Sequence, residues 1–556
     1  GVIKDPNGAV VPGAKVVARN AGTNATTAVA TDTAGTYKII NLVPGEYILE
    51  VEAKGFRKTT TIPQRLSTGD VLRLDLTLEL GQVTETVTVE EVATKVNTED
   101  SQMGQVLRDV YQLPIISAAA GRNPLALAST QPGVVMAPGG TASLSSEAYG
   151  PMAVNGQRAQ SNNYMLDGGD SNDLAINVPD AVQQISPNAI SEFRVVTGSM
   201  KAEYGRNSGA VVQVTTRSGT NEWHGGANEV FRNTKLNAVP FFQKVTPGPV
   251  ETFTTGLARK PQWNTNDFDA QFGGPIKKDK TFFFVNYLGF RRRQGVTSSA
   301  TVPNDSQRAL VNQYGTTAAK KLLALVPAAS TGNVLYSSPT NQYRRDQGLA
   351  KFDHYFTDAN RFSATYFVEQ QDSVAPFAGF GSTVPGFGDT GKTRFQNLIV
   401  RDTHTFGANV FNEFRGSFHR RGQASIIPQN TTKLSALGLT GINADDPGAE
   451  GPPWVSISGF SAFGNSYQGP QARYDNTFQY MDSLSWTKGK HYLKFGGEMR
   501  TFAQNQAFTF INNGYMAITG SGVALGLTDA IPGLTRALSD FTQGFATLYA
   551  QNNANR

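Results

Sequence analysis

From residue 221 onward, apolar and polar positions alternate one for one in runs of about ten residues, the period of a strand with one apolar and one polar face. In HYLKFGGEMRT, Leu493, Phe495 and Met499 share one face while Lys494, Glu498 and Arg500 share the other. In NRFSATYFVEQ, Phe362, Ala364, Tyr366 and Val368 oppose Arg361, Ser363 and Thr365. In NDFDAQFGG, Phe268, Ala270 and Phe272 oppose Asp267, Asp269 and Gln271. The pattern recurs through 268–274, 282–290, 350–356, 361–369, 395–406, 410–419 and 476–487. Short connections (275–280, 357–360, 407–409, 488–490) alternate with long ones (233–265, 294–345, 372–393, 424–473, 505 onward). A soluble sandwich has no reason to sort its loops by parity, whereas an outer-membrane barrel has short turns at one end and long loops at the other. The first group of residues should then face lipid and the second the lumen, where an arginine at Thr365 should be tolerated. Tyr287, Phe290, Tyr355, Phe356, Tyr480 and Trp486 are candidates for the aromatic girdles. Roughly nine or ten strands can be counted, fewer than a wide lumen requires, so a sequence truncated at both ends is expected.

Upstream the texture differs. Residues 1–81 carry short alternating runs (14–20, 35–40, 45–53, 71–80) punctuated by Pro6-Asn7-Gly8, Pro12-Gly13 and Pro44-Gly45, the rhythm of a small β-sandwich. Residues 82–97 alternate with few large apolar side chains and read as an extended linker. Residues 98–220 are mixed, with a short helix at 101–110, Gly/Pro/Ser-rich loops at 131–150, and strands at EFRVV and AVVQVTT. A helix at 306–326 is embedded in one long loop. The fold class is therefore mostly β: a sandwich, a linker, an α+β domain over 98–220, and part of a large antiparallel barrel over 221–556.

Composition removes several functions. The 556 residues carry a formal charge of only +5, without a basic stripe interleaved with aromatics, which argues against nucleic acid. The absence of cysteine removes disulfides, thiolate zinc sites and thiol catalysis. The motif GFGDTGKT (386–393) satisfies the phosphate-loop pattern, but a strand pattern follows it where a helix is required. Asp167, Asp170, Asn172 and Asp173 could ligate calcium, yet their spacing is not that of an EF-hand and hairpin turns favour the same residues. The 5 histidines fall singly, pointing into a polar lumen or sitting at an interface rather than forming a metal site. No catalytic motif is organised, and neither a cofactor nor a metal is expected.

Two blocks, VNGQRAQSNNYMLDGGDSND (154–173) and AISEFRVVTGSMKAEYGRNSGAVVQVTTRSGTNEWHG (189–225), resemble the plug of TonB-dependent outer-membrane transporters. The resemblance implies plug-motif roles for Asp167, Gly168, Glu192, Arg194, Tyr204, Gly205, Arg206 and Gly209, with Phe193 where a branched aliphatic is usual. DPNGAVVPGAKV and the segment 31–56 resemble the noncatalytic carboxypeptidase-regulatory-like module. FGGPIKKDKTFFFVNYLGFRRR and KFDHYFTDANRFSATY resemble the Oar-like subgroup that carries it. A plug fills a lumen too wide for wall side chains to fill. Gly205, Gly209 and Gly219 should permit tight turns or close approach, and Glu192, Arg194 and Arg206 should meet charges on the lumen wall.

The resemblance implies a bacterial outer-membrane receptor with its N-terminal domain in the periplasm, importing an unidentified ligand at the expense of the TonB protein and its inner-membrane energising complex. Glu85, Thr86, Val87, Thr88 and Val89 resemble the coupling box that pairs with TonB by strand addition; the same residues also read as a last strand of the sandwich. A structural or adhesive outer-membrane protein with the same plug and barrel, or a secreted carbohydrate-binding or processing protein, are the other readings.

Overall fold

The computed structural model describes residues 1–40, 42–81, 86–89, 102–113, 116–117, 121–136, 152–180, 185–205, 207–238, 262–379, 382–407, 409–439, 451–488 and 491–552. Glu85, Arg206, residues 137–150 of the loops expected at 131–150, and most of the linker lie outside them.

The N-terminal sandwich is built on β1 (Lys15–Asn20), β2 (Thr26–Ala30), β3 (Gly45–Glu52), β4 (Lys58–Thr61), β5 (Gln64–Leu66) and β6 (Thr86–Val89), in one sheet ordered β2-β1-β3-β4-β6 with β5 also on β3. Val16, Val51, Leu74, Leu76 and Leu78 fill its core. The expected strands at 35–40 and 71–80 are mostly extended loop. Only Leu76–Thr77 pairs as a strand there, in parallel with Ile3–Lys4, because side-chain burial rather than a ladder holds these edges. Thr86–Val89, expected within a linker, pairs in parallel with Lys58–Thr61 and forms an outer edge of the sheet.

The second unit is a five-stranded mixed sheet of β7 (Met103–Arg108), β8 (Asn163–Leu166), β9 (Gly169–Asp170), β10 (Ile190–Gly198) and β11 (Val211–Thr216), ordered β9-β8-β11-β10-β7. The helix expected at 101–110 is a strand. Its local sequence is indifferent between the two, and pairing of Leu107 and Gln105 against Phe193 and Val195 decides.

Nine strands in chain order form the third unit: β12 (His224–Arg232), β13 (Trp263–Lys277), β14 (Thr281–Gly295), β15 (Thr340–Thr357), β16 (Asn360–Ala375), β17 (Asp389–Phe406), β18 (Val410–Pro428), β19 (Gln471–Lys488) and β20 (His491–Phe508). Every neighbouring pair is antiparallel, and β12 and β20 are the open edges of the sheet. Strands β13 to β20 run 15 to 19 residues, longer than expected. At about 3.3 Å per residue they extend well beyond the ~25 Å apolar band, and the excess falls in polar stretches beside the long loops, where alternation is hard to see.

The predicted faces hold. Tyr366, Phe272, Phe495 and Met499 are exposed on the outer surface, while Thr365, Asp267 and Asp269 are buried inside. Phe290 and Tyr355 are corrections: both face inward, Phe290 against Tyr343 and the Arg345 guanidinium, Tyr355 beside Arg361. Tyr355 adjoins exposed Phe356 and Phe290 stands three residues from exposed Tyr287, odd spacings that put each pair on opposite faces. Lys392 and Thr393 of the phosphate-loop motif lie within β17, so the motif binds no phosphate in the manner of a P-loop.

The long loops fold into a layer of their own. In place of the one helix expected over 306–326 there are two, α1 (Asp305–Tyr314), capped reciprocally by Asn304 and Gln307, and α2 (Thr317–Ala324), because Gly315 ends the first and Thr316 caps the second. With α3 (Arg536–Gln543) and strands Trp454–Ile457 and Tyr515–Ile518 they enclose a core containing Val311, Leu323, Phe387, Val455, Phe463 and Phe541.

An arginine at Tyr366, 39% exposed at mid-strand, should cost roughly 2–4 kcal/mol in lipid, whereas leucine should be accommodated. The check is the heat-modifiable fraction of the full-length protein; equal assembly of the two variants would contradict this register.

Candidate functional site

The plug sheet stands inside the curve of the barrel sheet, and two kinds of contact seat it. One is apolar: Tyr164, Leu166, Phe193, Val195, Val212 and Val214 of the plug share a single cluster with Phe284, Leu349, Phe367, Phe395 and Ile399 of the wall. Phe193 is fully buried there. Full burial of each such side chain is worth about 1.5–3 kcal/mol.

The second contact is ionic. Asp167 and Gly168 form the two-residue turn between β8 and β9, both with positive φ (45° and 83°), as an Asp-Gly hairpin requires. A Cβ on Gly168 would strike the Arg415 guanidinium. The turn aims the Asp167 carboxylate at the Thr216 amide (2.8 Å) and hydroxyl (2.6 Å), the Thr365 hydroxyl (2.8 Å) and the Lys351 ammonium (3.6 Å). Burial opposes ionisation of Asp167, but Lys351 and these donors outweigh it and hold the carboxyl below the usual range. Because Thr365 is buried against the plug, an arginine there would collide with it, and the expected tolerance is withdrawn.

The rest of the turn region continues the pattern. Arg500 binds Asp170 (2.5 Å), and Arg421 and Arg473 both grip Asp173. Asp173 is likewise held low, the two guanidinium groups outweighing its burial. Asp180 receives Arg421 (2.7 Å) and His419 Nε2 (3.0 Å). These carboxylates therefore serve the hairpin and the wall cations. Among the described residues no cluster of metal-ligating side chains is present. On the other flank Arg122 of the plug meets Asp267 (3.3 Å), and Asn188 reaches Asp269 (2.9 Å).

The remaining plug-motif residues have other partners. Glu192 and Arg194, expected on the lumen wall, face the sandwich. Thr68 donates to the Glu192 carboxylate from its amide (2.7 Å) and its hydroxyl (2.8 Å), and Arg194 binds the Thr68 carbonyl. The reason is parity: Phe193 and Val195 point into the core shared with the wall, so Glu192 and Arg194, which alternate with them, point away from it. Tyr204 packs on Met165, Val196 and Val211 and accepts a bond from Gln213 (3.0 Å). Gly209 lies where a Cβ would meet Asn162, and Gly219 where one would meet the Phe283 and Gly274 carbonyls. Gly205 meets nothing within contact distance, so of a tight turn or a close approach only the turn ending at Tyr204 beside it is there. Of the histidines, His419 faces the lumen as expected and His224 is half-buried at the start of β12. Sequence reading missed Asp180, Arg122, Lys351, Arg421 and Arg473; for the last three the signal was the inward parity of charged residues in the barrel strands, which marks lumen position but not the partner, and for Asp180 and Arg122 of the plug there was none.

Residues 215–556 match the outer membrane beta barrel domain family, well over half of the chain, and residues 107–212 match the TonB-dependent receptor plug domain. The chain belongs to the TonB-dependent receptors of the outer membrane. Residues 1–79 match the carboxypeptidase regulatory-like domain. The TonB-dependent transporter Oar of Myxococcus xanthus is 29% identical to this receptor over 277 residues, covering 48% of this chain and 24% of that protein. The outer membrane transporter YddB of Escherichia coli aligns at 12% identity and TM-score 0.48 over 75% of this chain and 50% of its own. The ferric enterobactin receptor of Pseudomonas aeruginosa aligns at 11% identity and TM-score 0.42 over 80% and 53%.

Removing Lys351 as Lys351→Met leaves the buried Asp167 carboxylate without its ammonium and should destabilise plug seating by about 3–5 kcal/mol, with much of the loss recovered in Asp167→Asn/Lys351→Met. Hydrogen exchange over 163–170 reads both; equal protection in wild type and Lys351→Met would refute the assignment. Because the folded-state pKa values of Asp167 and Asp173 are depressed, their stabilisation is complete above the ordinary carboxylate pKa and is lost as pH falls through the folded values. Plug protection should thus be flat from neutrality to about pH 4 and fall only below it.

Proposed function

We propose that this receptor imports a ligand through its barrel with energy delivered by TonB at Glu85 to Val89, the short-turn end facing the periplasm. The observation that carries the proposal is the free edge of β6. Val89 accepts from the Ile62 amide (3.3 Å), so alternation along a parallel pair turns the backbone N–H and C=O of Val87 and Val89 towards β4 and those of Thr86 and Thr88 away from the sheet. With no further strand beyond β6 in the sheet order among the described residues, that outward row is a template on which a partner strand can add. The ligand is taken up where loops and plug meet.

An adhesive role is the second reading, favoured by the folded loop layer with its own core, a stable surface that transport alone does not require. It predicts attachment that survives removal of TonB.

Proline distinguishes the two edges of β6, since it deletes one N–H and fixes φ. In the full-length protein carrying a cysteine at Thr86, crosslinking to TonB should fall about tenfold or more with Thr88→Pro, which removes a donor from the free edge. Val87→Pro should instead loosen β6 from β4. Undiminished crosslinking in Thr88→Pro would refute coupling at this edge.

A further inference from the structure

The sandwich is seated across the short-turn end of the barrel. Asn24 donates to Asp279 (3.0 Å) and Thr26 to Asp358 (3.3 Å), both in turns between barrel strands. The Gly22 carbonyl accepts from the Asn221 amide (2.8 Å), and the Lys38 ammonium lies over the Tyr492 ring (4.0 Å). At the centre, the loop Ser67-Thr68-Gly69 is clipped among three charged side chains of the plug. Arg108 donates to the Ser67 hydroxyl (2.8 Å) and lies 3.7 Å from Asp70, Glu192 takes both donors of Thr68, and Arg194 binds the Thr68 carbonyl. Gly69 has φ +75° and leaves no room for a Cβ beside Arg194, so the loop is shaped to this seat.

Behind the loop lies a cavity of ≈ 660 Å³ bounded by sandwich, plug and wall together, lined by Thr68, Asp167, Lys351, Ser363, Arg401 and Glu413 among others. Its wall cations already have carboxylate partners, Lys351 with Asp167 and Arg401 with Glu413. It is therefore a passage that the sandwich covers on one side rather than a site charged for a ligand.

The two seats differ in kind. Plug and wall share an apolar core, whereas the sandwich core contains only sandwich residues among those described. Hydrogen bonds to charged groups can be exchanged for water at modest net cost, but an apolar core cannot be parted without exposing its surface. The sandwich is the body that separates first.

We propose that the N-terminal sandwich is the gate of the channel's periplasmic exit, latched by Thr68 on Glu192. A pull on β6 acts directly on the sandwich, because β6 is one of its strands. The gate itself stands on the interface; its opening by force rests on the TonB reading above.

The test places a cysteine at Ser363, inside the cavity, in an otherwise cysteine-free full-length protein, and follows its labelling by a membrane-impermeant maleimide from the periplasmic face. Labelling should be slow in the parent and about tenfold faster in Glu192→Gln, which weakens a charge-assisted acceptor. Thr68→Val should accelerate it too, and because this change lies on the sandwich side it leaves the plug sequence intact. The Thr68 and Thr215 hydroxyls are 3.0 Å apart, so an oxidised Thr68→Cys/Thr215→Cys pair should hold labelling at or below the parent rate even in energised cells. Unchanged rates in both Glu192→Gln and Thr68→Val would overturn the gate. Acceleration in those variants without any dependence on TonB would leave the gate standing and remove the energised reading instead.

Discussion

A carboxylate carried out of water into the space between plug and wall has to find a cation there, and this requirement organises the lumen. The effective penalty for desolvating one ion is several kcal/mol, and a pair repays it only with good geometry and further donors. The Asp167 turn meets these terms with Lys351, Thr216 and Thr365 around one carboxylate. Asp173 meets them with two guanidinium groups from β18 and β19. Such pairs add less to stability than to specificity: a plug sheet shifted by one residue would bury the same charges unpaired. The Asp-Gly hairpin matters because its two left-handed residues fix where those carboxylates arrive.

The apolar cluster shared by plug and wall does complementary work. Phe284, Leu349, Phe367, Phe395 and Ile399 stand among polar inward residues and pack against the plug, so the lumen is partly a protein core. Non-directional burial supplies the adhesion and the ion pairs supply the register. The sandwich has the second kind of contact without the first, which makes its seat specific and separable.

Legibility in the sequence followed this division. Alternation showed the barrel strands and their faces because lipid imposes a strict period of two on one side. It gave Phe290 the wrong face because both faces of β14 carry aromatics, and inward Phe282, Phe284 and Phe290 pack on neighbours inside the wall. The plug-motif resemblance singled out Glu192 and Arg194, but parity within one strand cannot say which body lies opposite; that depends on a loop 124 residues earlier in the chain. The strand at 103–108 was illegible for the same reason, since its partners, not its own residues, select its conformation.

Different physics holds the bodies at the two ends of the lumen, and the difference gives the molecule a direction. At the long-loop end the closing layer has its own hydrophobic core, so it can hold its shape as a surface while individual contacts with a visitor change. At the short-turn end closure depends on a loop of three small residues among Arg108, Glu192 and Arg194, and on isolated contacts to barrel turns. A body held that way returns to one position when released, because charge-assisted hydrogen bonds are directional, yet it releases without exposing an apolar face. A force applied through the edge strand of that body, as proposed above, would load these contacts, which part more readily than the shared core of plug and wall.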